Sequence, residues 1–220
     1  TRHVDTNYYW LRRMRVHVPV LTHPDVRFEC GDAAVHMAAG ECWIFDTWRP
    51  HNVINPVDAV RVHLVADTVG SPAFSAAIAA TDGPQRQVPL DPGVPPPLVF
   101  ERENFPLVMT PDEALGWWND WCAEARLTGA DPAALDATFR SWHLRWQSAW
   151  LTHKTDPSGF PAYRELAAML VQAARAHRGD ERLPNGIALA QLLATTLAPA
   201  LHHAQVADAH EEPAAATVPD

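Results

Sequence analysis

The first seventy residues of the chain alternate between apolar and polar positions in short segments. In the segment RMRVHVPVLT, Val16, Val18 and Val20 alternate with Arg15 and His17. A period of two is typical of a β-strand that is buried on one face. Three later segments (DVRFEC, AAVHMAAGECWIFD and AVRVHLVADTV) follow a similar pattern, and turn-forming residues separate them. Short strands at this spacing, with no helical period between them, predict an antiparallel barrel or sandwich.

The composition changes at residues 82–97 (DGPQRQVPLDPGVPPP), which contain six prolines and two glycines. Such a segment is typical of a linker or of an extended stretch that wraps a neighbouring surface. The last residues of the chain, ADAHEEPAAATVPD, favour disorder. We therefore predict a β core, a proline-rich linker or wrapping segment, a helical region and a disordered tail, at residues 1–81, 82–109, 110–206 and 207–220.

Four helices are predicted after the proline-rich segment. The first begins at TPDE (residues 110–113), where threonine caps the helix, proline opens its first turn and two acids lie at the positive end of the helix dipole. Asp131-Pro132 and Phe160-Pro161 precede two more helices, and NGIALAQLLATTLAPALHHA is the fourth. Tryptophans spaced four apart share one face of each of the first two helices, which favours packing over a substrate cage. They are Trp117 and Trp121, and Trp142, Trp146 and Trp150.

Charge and cysteine content exclude several functional classes. The formal net charge is −9 without a cluster of basic residues, which argues against nucleic acid and an anionic membrane surface as partners. The sequence contains no transmembrane-length apolar run, and we expect no signal peptide. The cysteines, Cys30, Cys42 and Cys122, lack CxxC spacing, so reduced thiols and a cytoplasmic location are expected. Because the strand pattern follows Thr1 closely and no initiating methionine is present, we expect an N-terminally incomplete β core.

His3 and Asp5 form a His-x-Asp pair near the start of the chain. Alternate residues of a strand point to the same side, so the pair can offer an imidazole and a carboxylate to one metal ion. A mononuclear iron oxygenase needs a second imidazole on the same face of the metal, and His51 is the natural source. Arg61 follows ten residues later, where strand parity is expected to point it into the same barrel, able to pair with a carboxylate.

The residues around these positions resemble a known family. The segments RHVDTNYYWLRRMRVHVPVLT and GDAAVHMAAGECWIFDTWRPHNVINPVDAVRVHLVADTVG are similar to the aspartyl/asparaginyl β-hydroxylases, which are Fe(II)/2-oxoglutarate oxygenases. The similarity is greatest to the bacterial branch that includes free-proline hydroxylases, and it covers about residues 1–70. It implies a double-stranded β-helix (jelly-roll) core, followed here by an all-helical C-terminal region. By this resemblance, the iron ligands are His3, Asp5 and His51.

The resemblance also implies which residues bind the cosubstrate. Arg61 matches the arginine that holds the 5-carboxylate of 2-oxoglutarate. Arg15 and His17 match the Arg-x-His pair that contacts the other end of the same molecule. The animal branch of the family has glycine in place of the ligand carboxylate, whereas this chain keeps Asp5, which favours hydroxylation over halogenation.

The function implied by the resemblance is Fe(II)- and 2-oxoglutarate-dependent hydroxylation. Such an enzyme uses O2 to hydroxylate an unactivated C–H of a free amino acid or an amino-acid-derived metabolite, and it converts 2-oxoglutarate to succinate. Two alternatives stay open. One is hydroxylation of a residue within a peptide or protein, with the helical region as the docking surface; the other is a non-catalytic jelly-roll binding module. The helical region could also mediate homo-oligomerisation.

Other polar residues are predicted to have structural roles, because they are expected in strands, in turns or on solvated surfaces rather than at metal-ligand spacing. Core positions, or positions that support the metal ligands, are expected for His36 and His63. Turn, strand-end or solvated positions are expected for His23, Glu41, Asp46, Asn55, His202 and His203.

Overall fold

The computed structural model describes residues 1–7, 12–80, 93 and 106–203. The predicted disordered tail and most of the predicted proline-rich segment lie outside the described residues. The described residues divide into two compact units. The first contains Thr1–Asp5 and the described part of residues 9–104, and the second contains Thr6, Asn7 and the described part of residues 105–220.

The first unit contains two three-stranded antiparallel sheets. Its strands are β1 (Met14–Leu21), β2 (Arg27–Cys30), β3 (Ala33–Val35), β4 (Trp43–Ile44), β5 (His51–Ile54) and β6 (Val62–Thr68). One sheet has the order β4-β1-β6 and the other has the order β3-β2-β5. The strands predicted from the alternating pattern are therefore present. The coarse class is a mixed α/β protein with small antiparallel sheets and several helices.

The register of these strands brings distant residues together. In the first sheet, Arg15 of β1 lies opposite Asp67 of β6. In the second, Cys30 of β2 lies opposite His51 of β5. An isolated antiparallel bridge joins His3 to His51, on the edge of β5 that faces away from β2. The N-terminal segment is thus placed beside β5 by backbone pairing.

The two faces of β1 are not buried as the valine pattern suggests. Pro19 is buried, whereas Val20 is 60% exposed, and Leu64 of the neighbouring β6 is 62% exposed. Arg15 and His17 lie on the same face as Pro19, because alternate residues share a face. A period of two shows that the faces differ, but it does not show which one the rest of the protein covers.

A short helix, α1 (Pro72–Ala79), follows β6 within the predicted β core. Ser71 caps this helix by accepting a hydrogen bond from the Phe74 N–H at 3.1 Å, and Pro72 opens its first turn. A serine followed by proline is a start signal for a helix, but the helix is too short for its apolar period to be distinctive.

The second unit is helical. Its elements are α2 (Pro111–Leu127), α3 (Ala133–His153), a 3-10 turn (Pro157–Gly159), α4 (Phe160–Ala176), α5 (Leu189–Leu192), a π-helical turn (Leu193–Leu197) and α6 (Ala198–Ala200). Thr110 caps α2 by accepting a hydrogen bond from the Glu113 N–H, as its sequence predicts. The fourth predicted helix is broken into short pieces by the π-helical turn. None of the described helices is long and apolar enough to cross a membrane.

Aromatic side chains form the centre of the helical unit. Phe139 of α3 stacks on Trp118 of α2 with ring centroids 4.7 Å apart, and Trp146 contacts Tyr163 of α4 at 4.9 Å. The Trp118 Nε1–H donates to the Asp136 carboxylate at 2.7 Å, so the indole keeps a polar partner in the core. The packing role predicted for the tryptophans is confirmed for those that are buried: Trp121, Trp142 and Trp146.

The chain before α2 and the chain after α6 pair with each other. Val108 forms a β-bridge with His202, and the Met109 N–H donates to the Leu201 carbonyl at 2.8 Å. Met109 is fully buried, so residues 106–109, assigned above to the linker segment, pack within the helical unit. The prediction that His202 and His203 are solvated is wrong, because the Nε2 atoms of both are buried.

Candidate functional site

Backbone pairing positions the two residues of the His-x-Asp pair. The His3 N–H donates to the His51 carbonyl at 3.0 Å, and the His51 N–H donates to the His3 carbonyl at 2.9 Å. The Asp5 N–H donates to the Thr47 carbonyl at 3.1 Å. The segment therefore runs alongside residues 47–51, which lead into β5, and the alternation of an extended chain directs the His3 and Asp5 side chains to one side.

The side chains of His3, Asp5 and His51 converge. One ligand atom from each residue lies within 4.8 Å of the other two. Oδ1 of Asp5 is 3.6 Å from Nε2 of His3 and 3.9 Å from Nε2 of His51. Among the described residues, this is the group of three metal-ligating side chains that could hold an ion.

The ring orientation of both histidines suits metal binding. Nδ1 of His3 lies 2.8 Å from the Thr1 carbonyl, and Nδ1 of His51 lies 2.9 Å from the Arg49 carbonyl. A carbonyl can only accept a hydrogen bond, so each Nδ1 carries a proton, and each Nε2 faces Asp5, where a metal ion could bind it. Metal-binding histidines commonly donate their second ring N–H in this way.

The three side chains differ in exposure. The side chain of His51 is 8% exposed and that of Asp5 is 13% exposed, whereas that of His3 is 56% exposed. Phe45 covers His51 with ring centroids 5.2 Å apart, and Phe28 lies behind both. Two imidazoles and one carboxylate, shielded on one side and open on the other, fit a non-haem Fe(II) centre with free coordination positions.

Arg15 lies next to the carboxylate of this group. Its Nη1 is 4.0 Å from Oδ2 of Asp5. Its other two nitrogens are bound by Asp67, with Nε to Oδ1 at 2.9 Å and Nη2 to Oδ2 at 3.3 Å. Asp67 thereby fixes the plane of the guanidinium, because two parallel hydrogen bonds to one carboxylate leave the guanidinium little rotational freedom.

Arg61, His63 and His17 form a second polar cluster. Nη2 of Arg61 donates to Nδ1 of His63 at 3.0 Å, and the rings of His63 and His17 lie 5.7 Å apart. Burial, with a smaller contribution from His63, lowers the pKa of His17 to about 4. Neither buried ring nitrogen of His17 has a hydrogen-bond partner among the described residues.

Buried polar atoms without partners are unusual in folded proteins. At this cluster they include both ring nitrogens of His17 and Nε2 of His63, next to the cationic Arg61. Burial also lowers the pKa of Arg61. A polar ligand that carries negative charge would satisfy this set of groups. Phe45 contacts both the cluster and the His-Asp-His group, since its ring lies 5.2 Å from the ring of His17 and 5.2 Å from that of His51.

Two cavities border the site. The first, of about 190 Å³, is polar and is lined by Asp5, Arg13, Met14, Arg15, Phe45, Asp46, Thr47 and Trp48. The second, of about 320 Å³, is largely apolar and is lined by residues of β2, β3, β4 and the loop that follows β4. Phe45 and Asp46 line both cavities.

Sequence reasoning did not single out Asp67 or Phe45. Asp67 occupies the same strand parity as Arg61 and His63, so its place on the inner face of β6 could have been found by extending that alternation. Phe45 lies in the GECWIFD segment, but an aromatic residue beside a strand gives no signal of its own. Its position between two histidines depends on how the two sheets face each other.

The residues predicted to be structural have local partners. Glu41 accepts from the Ala38 N–H and the Trp43 Nε1–H, both at 2.8 Å. Asp46 accepts from the Trp48 N–H at 3.0 Å and Asn55 donates to the Ala59 carbonyl at 2.9 Å. These are turn interactions. Similar local contacts are made by His23, with the Asp25 N–H, and by His36, with the Val26 carbonyl.

Comparison with known proteins gives one family match. Residues 1–70 match the model of a family described as aspartyl/asparaginyl beta-hydroxylase. The matched segment contains the His-Asp-His group and the Arg61 cluster, whereas the helical unit from residue 106 onward lies outside it. A search of curated proteins found no match, and a search of solved structures also found none. The resemblance inferred from the sequence is thus confirmed over residues 1–70.

Proposed function

We propose that the protein is an Fe(II)- and 2-oxoglutarate-dependent dioxygenase, on the premise that residues 1–70 match the model of the aspartyl/asparaginyl β-hydroxylase family. Its proposed reaction is hydroxylation of an unactivated C–H in a free amino acid or an amino-acid-derived metabolite. The observation that carries the proposal is the convergence of His3, Asp5 and His51 within 4.8 Å, with both histidines donating through Nδ1 to backbone carbonyls.

His3, Asp5 and His51 would hold the iron. Asp5 would bind through Oδ1, the oxygen nearest both histidine Nε2 atoms. When bound, the iron with O2 and 2-oxoglutarate supplies the oxidation, in which 2-oxoglutarate loses CO2 to give succinate and the substrate C–H becomes C–OH. The exposed side of His3 leaves room for cosubstrate and substrate, while Phe28 and Phe45 keep water from the buried side of His51.

Arg61 and His17 would bind the cosubstrate. A dicarboxylate needs cationic or N–H donors at both ends. Arg61 donates to Nδ1 of His63, and the ring of His63 lies 5.7 Å from that of His17, whose ring nitrogens have no partner among the described residues. Arg15, next to Asp5, would contact the end of 2-oxoglutarate nearest the metal. Charge-assisted hydrogen bonds of this kind are about twice as strong as neutral ones, so they would orient the cosubstrate firmly.

We also propose a double-stranded β-helix for the β unit. Phe45, which follows β4, lies against Phe28 of β2 at 4.5 Å and against His17 of β1 at 5.2 Å. The two sheets therefore face each other across this side chain, as the walls of a jelly roll do.

The test replaces the most buried ligand. His51→Ala should abolish anaerobic Fe(II) binding and succinate formation with any substrate, because only two weak ligands would remain. His23→Ala is the matched control, since the side chain of His23 is 44% exposed and lies in the loop between β1 and β2, and it should keep both properties. Turnover that survives His51→Ala would contradict the metal assignment.

The same assay separates the alternatives. A panel of free amino acids scored for substrate-dependent succinate should give coupled turnover with at least one member. Succinate that forms at the same rate with and without a free amino acid would favour a residue within a peptide as substrate. Tight iron binding without any succinate would contradict catalysis, whereas a protein that binds neither iron nor 2-oxoglutarate would be a binding module.

A further inference from the structure

The larger cavity of the β unit has no role in holding metal or cosubstrate. It encloses about 320 Å³, which falls within the range of small-molecule sites, roughly 300–1,000 Å³. Its lining is mostly apolar and aromatic, with a charged pair at one place. The lining residues are Phe28, Cys30, Ala33, Val35, Met37, Trp43, Ile44, Phe45, Asp46 and Arg49.

Strand register places this cavity beside the candidate metal ligands. His3 is bridged to His51, His51 lies opposite Cys30, and Cys30 lies opposite Ala33. Residues directly opposite each other in antiparallel strands share one face of the sheet. Neighbouring strands are about 4.8 Å apart, so the part of the cavity lined by Cys30 and Ala33 begins one to two strands from His51.

The wall of the cavity also contacts the metal ligands. Phe45 and Phe28 both line the cavity, and both lie against the ring of His51. Phe45 and Asp46 line the polar cavity next to Asp5 as well. One molecule could therefore place an apolar group in the larger cavity and its charged groups in the polar cavity.

The charges around the two cavities suit a zwitterion. Asp46 pairs with Arg49 at 3.5 Å, and both side chains are more than half exposed, so these charges lie on the solvent side of the apolar cavity. The polar cavity presents carboxylates from Asp5 and Asp46 and the cations of Arg13 and Arg15. An ammonium group and a carboxylate can both pair with opposite charges in the polar cavity. The apolar cavity has charged side chains only on its solvent side.

We propose that the apolar cavity is the subsite that receives the side chain of the substrate, and that this substrate is an amino acid with a branched aliphatic or aromatic side chain. The proposal rests on the proposed hydroxylase function and specifies its substrate class. The α-ammonium and α-carboxylate of the substrate lie in the polar cavity next to Asp5.

The experiment fills the cavity from its exposed edge at Ala33. Ala33→Phe projects a ring into the cavity, and Ala34→Phe is the matched control, because Ala34 is the next residue of β3, faces the other side of the sheet and is exposed. The full chain with Fe(II), 2-oxoglutarate and O2 is assayed for succinate with L-leucine, L-isoleucine and L-phenylalanine, and with L-serine and L-aspartate.

The wild type should prefer the three apolar amino acids. Ala33→Phe should lower kcat/KM for them by about tenfold or more, the scale at which a blocked apolar pocket discriminates, and leave Fe(II) affinity unchanged. Ala34→Phe should change neither quantity. A preference for serine or aspartate, or an equal loss of kcat/KM for every amino acid in Ala33→Phe, would overturn the proposal.

A binding measurement separates this proposal from the hydroxylase function. L-leucine and L-phenylalanine are titrated calorimetrically into the metal-free protein and into Ala33→Phe. Binding to the wild type that is lost in the variant supports the subsite even if no succinate forms, in which case the hydroxylase function alone fails. Absence of binding to the wild type, or equal binding to both proteins, would overturn the subsite.

Discussion

Asp5 directs its two carboxylate oxygens to different neighbours. Oδ1 lies between the two histidine Nε2 atoms, whereas Oδ2 lies 4.0 Å from Nη1 of Arg15. That distance is beyond a hydrogen bond, because Asp67 already binds the other two nitrogens of Arg15. Asp67 therefore holds the cation near Asp5 without letting it neutralise the carboxylate that a metal would need.

Asp67→Asn is expected to weaken Fe(II) binding about tenfold, the size typical of losing a residue that orients a metal ligand. Arg15, no longer bound by a second carboxylate, would pair directly with Asp5 and compete with the metal. Anaerobic Fe(II) titration measures the change. The double variant Asp67→Asn with Arg15→Met should recover most of the iron affinity, since the competing cation is gone. An iron affinity as weak in the double variant as in Asp67→Asn would show that Asp67 only supports the fold.

His17 makes stability depend on pH. Its pKa falls to about 4 on folding, chiefly through burial and then through His63, Arg15 and Arg61, whereas an unfolded histidine has a pKa of about 6.5. Between these two values the unfolded state binds more protons, so the free energy of unfolding rises with pH. The contribution is complete above about pH 6.5 and is lost as the pH falls toward 4.

His17→Asn removes this titration, so its free energy of unfolding should depend less steeply on pH between about 4 and 6.5 than that of the wild type. Denaturant unfolding at several pH values in this window gives both slopes. His63, whose pKa is also lowered by burial and by Arg61, leaves a residual slope in both proteins. Identical slopes for variant and wild type would contradict a neutral, buried His17.

At the scale of single elements, α3 has one face that packs in the core and one face that is exposed. Phe139 is fully buried and packs on Trp118, Trp142 and His143. Leu144 of the same helix is 66% exposed. A buried ring removed from a packed core costs about 3–5 kcal/mol, whereas an exposed side chain costs within about 0.5 kcal/mol.

Phe139→Ala is therefore expected to lower the free energy of unfolding of the helical unit by about 3–5 kcal/mol. Leu144→Ala is the control on the same helix and should change it by less than about 0.5 kcal/mol. Denaturant unfolding followed by tryptophan fluorescence measures both. A large loss in Leu144→Ala would mean that this leucine is covered by something other than solvent.

β1 shows the limit of a strand pattern. The alternation of valine with arginine and histidine predicts the strand and its two faces. The face with Arg15, His17 and Pro19 lies toward the candidate site, and Val20 on the other face is largely exposed. A half-buried strand usually turns its apolar face inward. A strand that carries ligand-binding groups turns its polar face inward instead, because the interior of the unit holds polar ligands as well as an apolar core.

At the scale of the whole molecule, the division into a β unit and a helical unit follows the change along the sequence from alternating strand patterns to helical patterns. The β unit carries the family match and all six residues to which the resemblance gives a role. The helical unit carries the largest aromatic core. A net charge of −9 does not favour a polyanionic partner for either unit.

The sequence by itself determined the β-strands other than β5, the starts of the long helices and the identity of the His-Asp-His group. These depend on local periods, on capping residues such as Thr110, and on a spacing that a family shares. The sequence could not predict that the two oxygens of Asp5 have different neighbours, that Asp67 binds Arg15, or that Phe45 lines an apolar cavity. Those depend on which residues face each other across strands far apart in the chain, and a register shift of one residue would turn each of them away from the site.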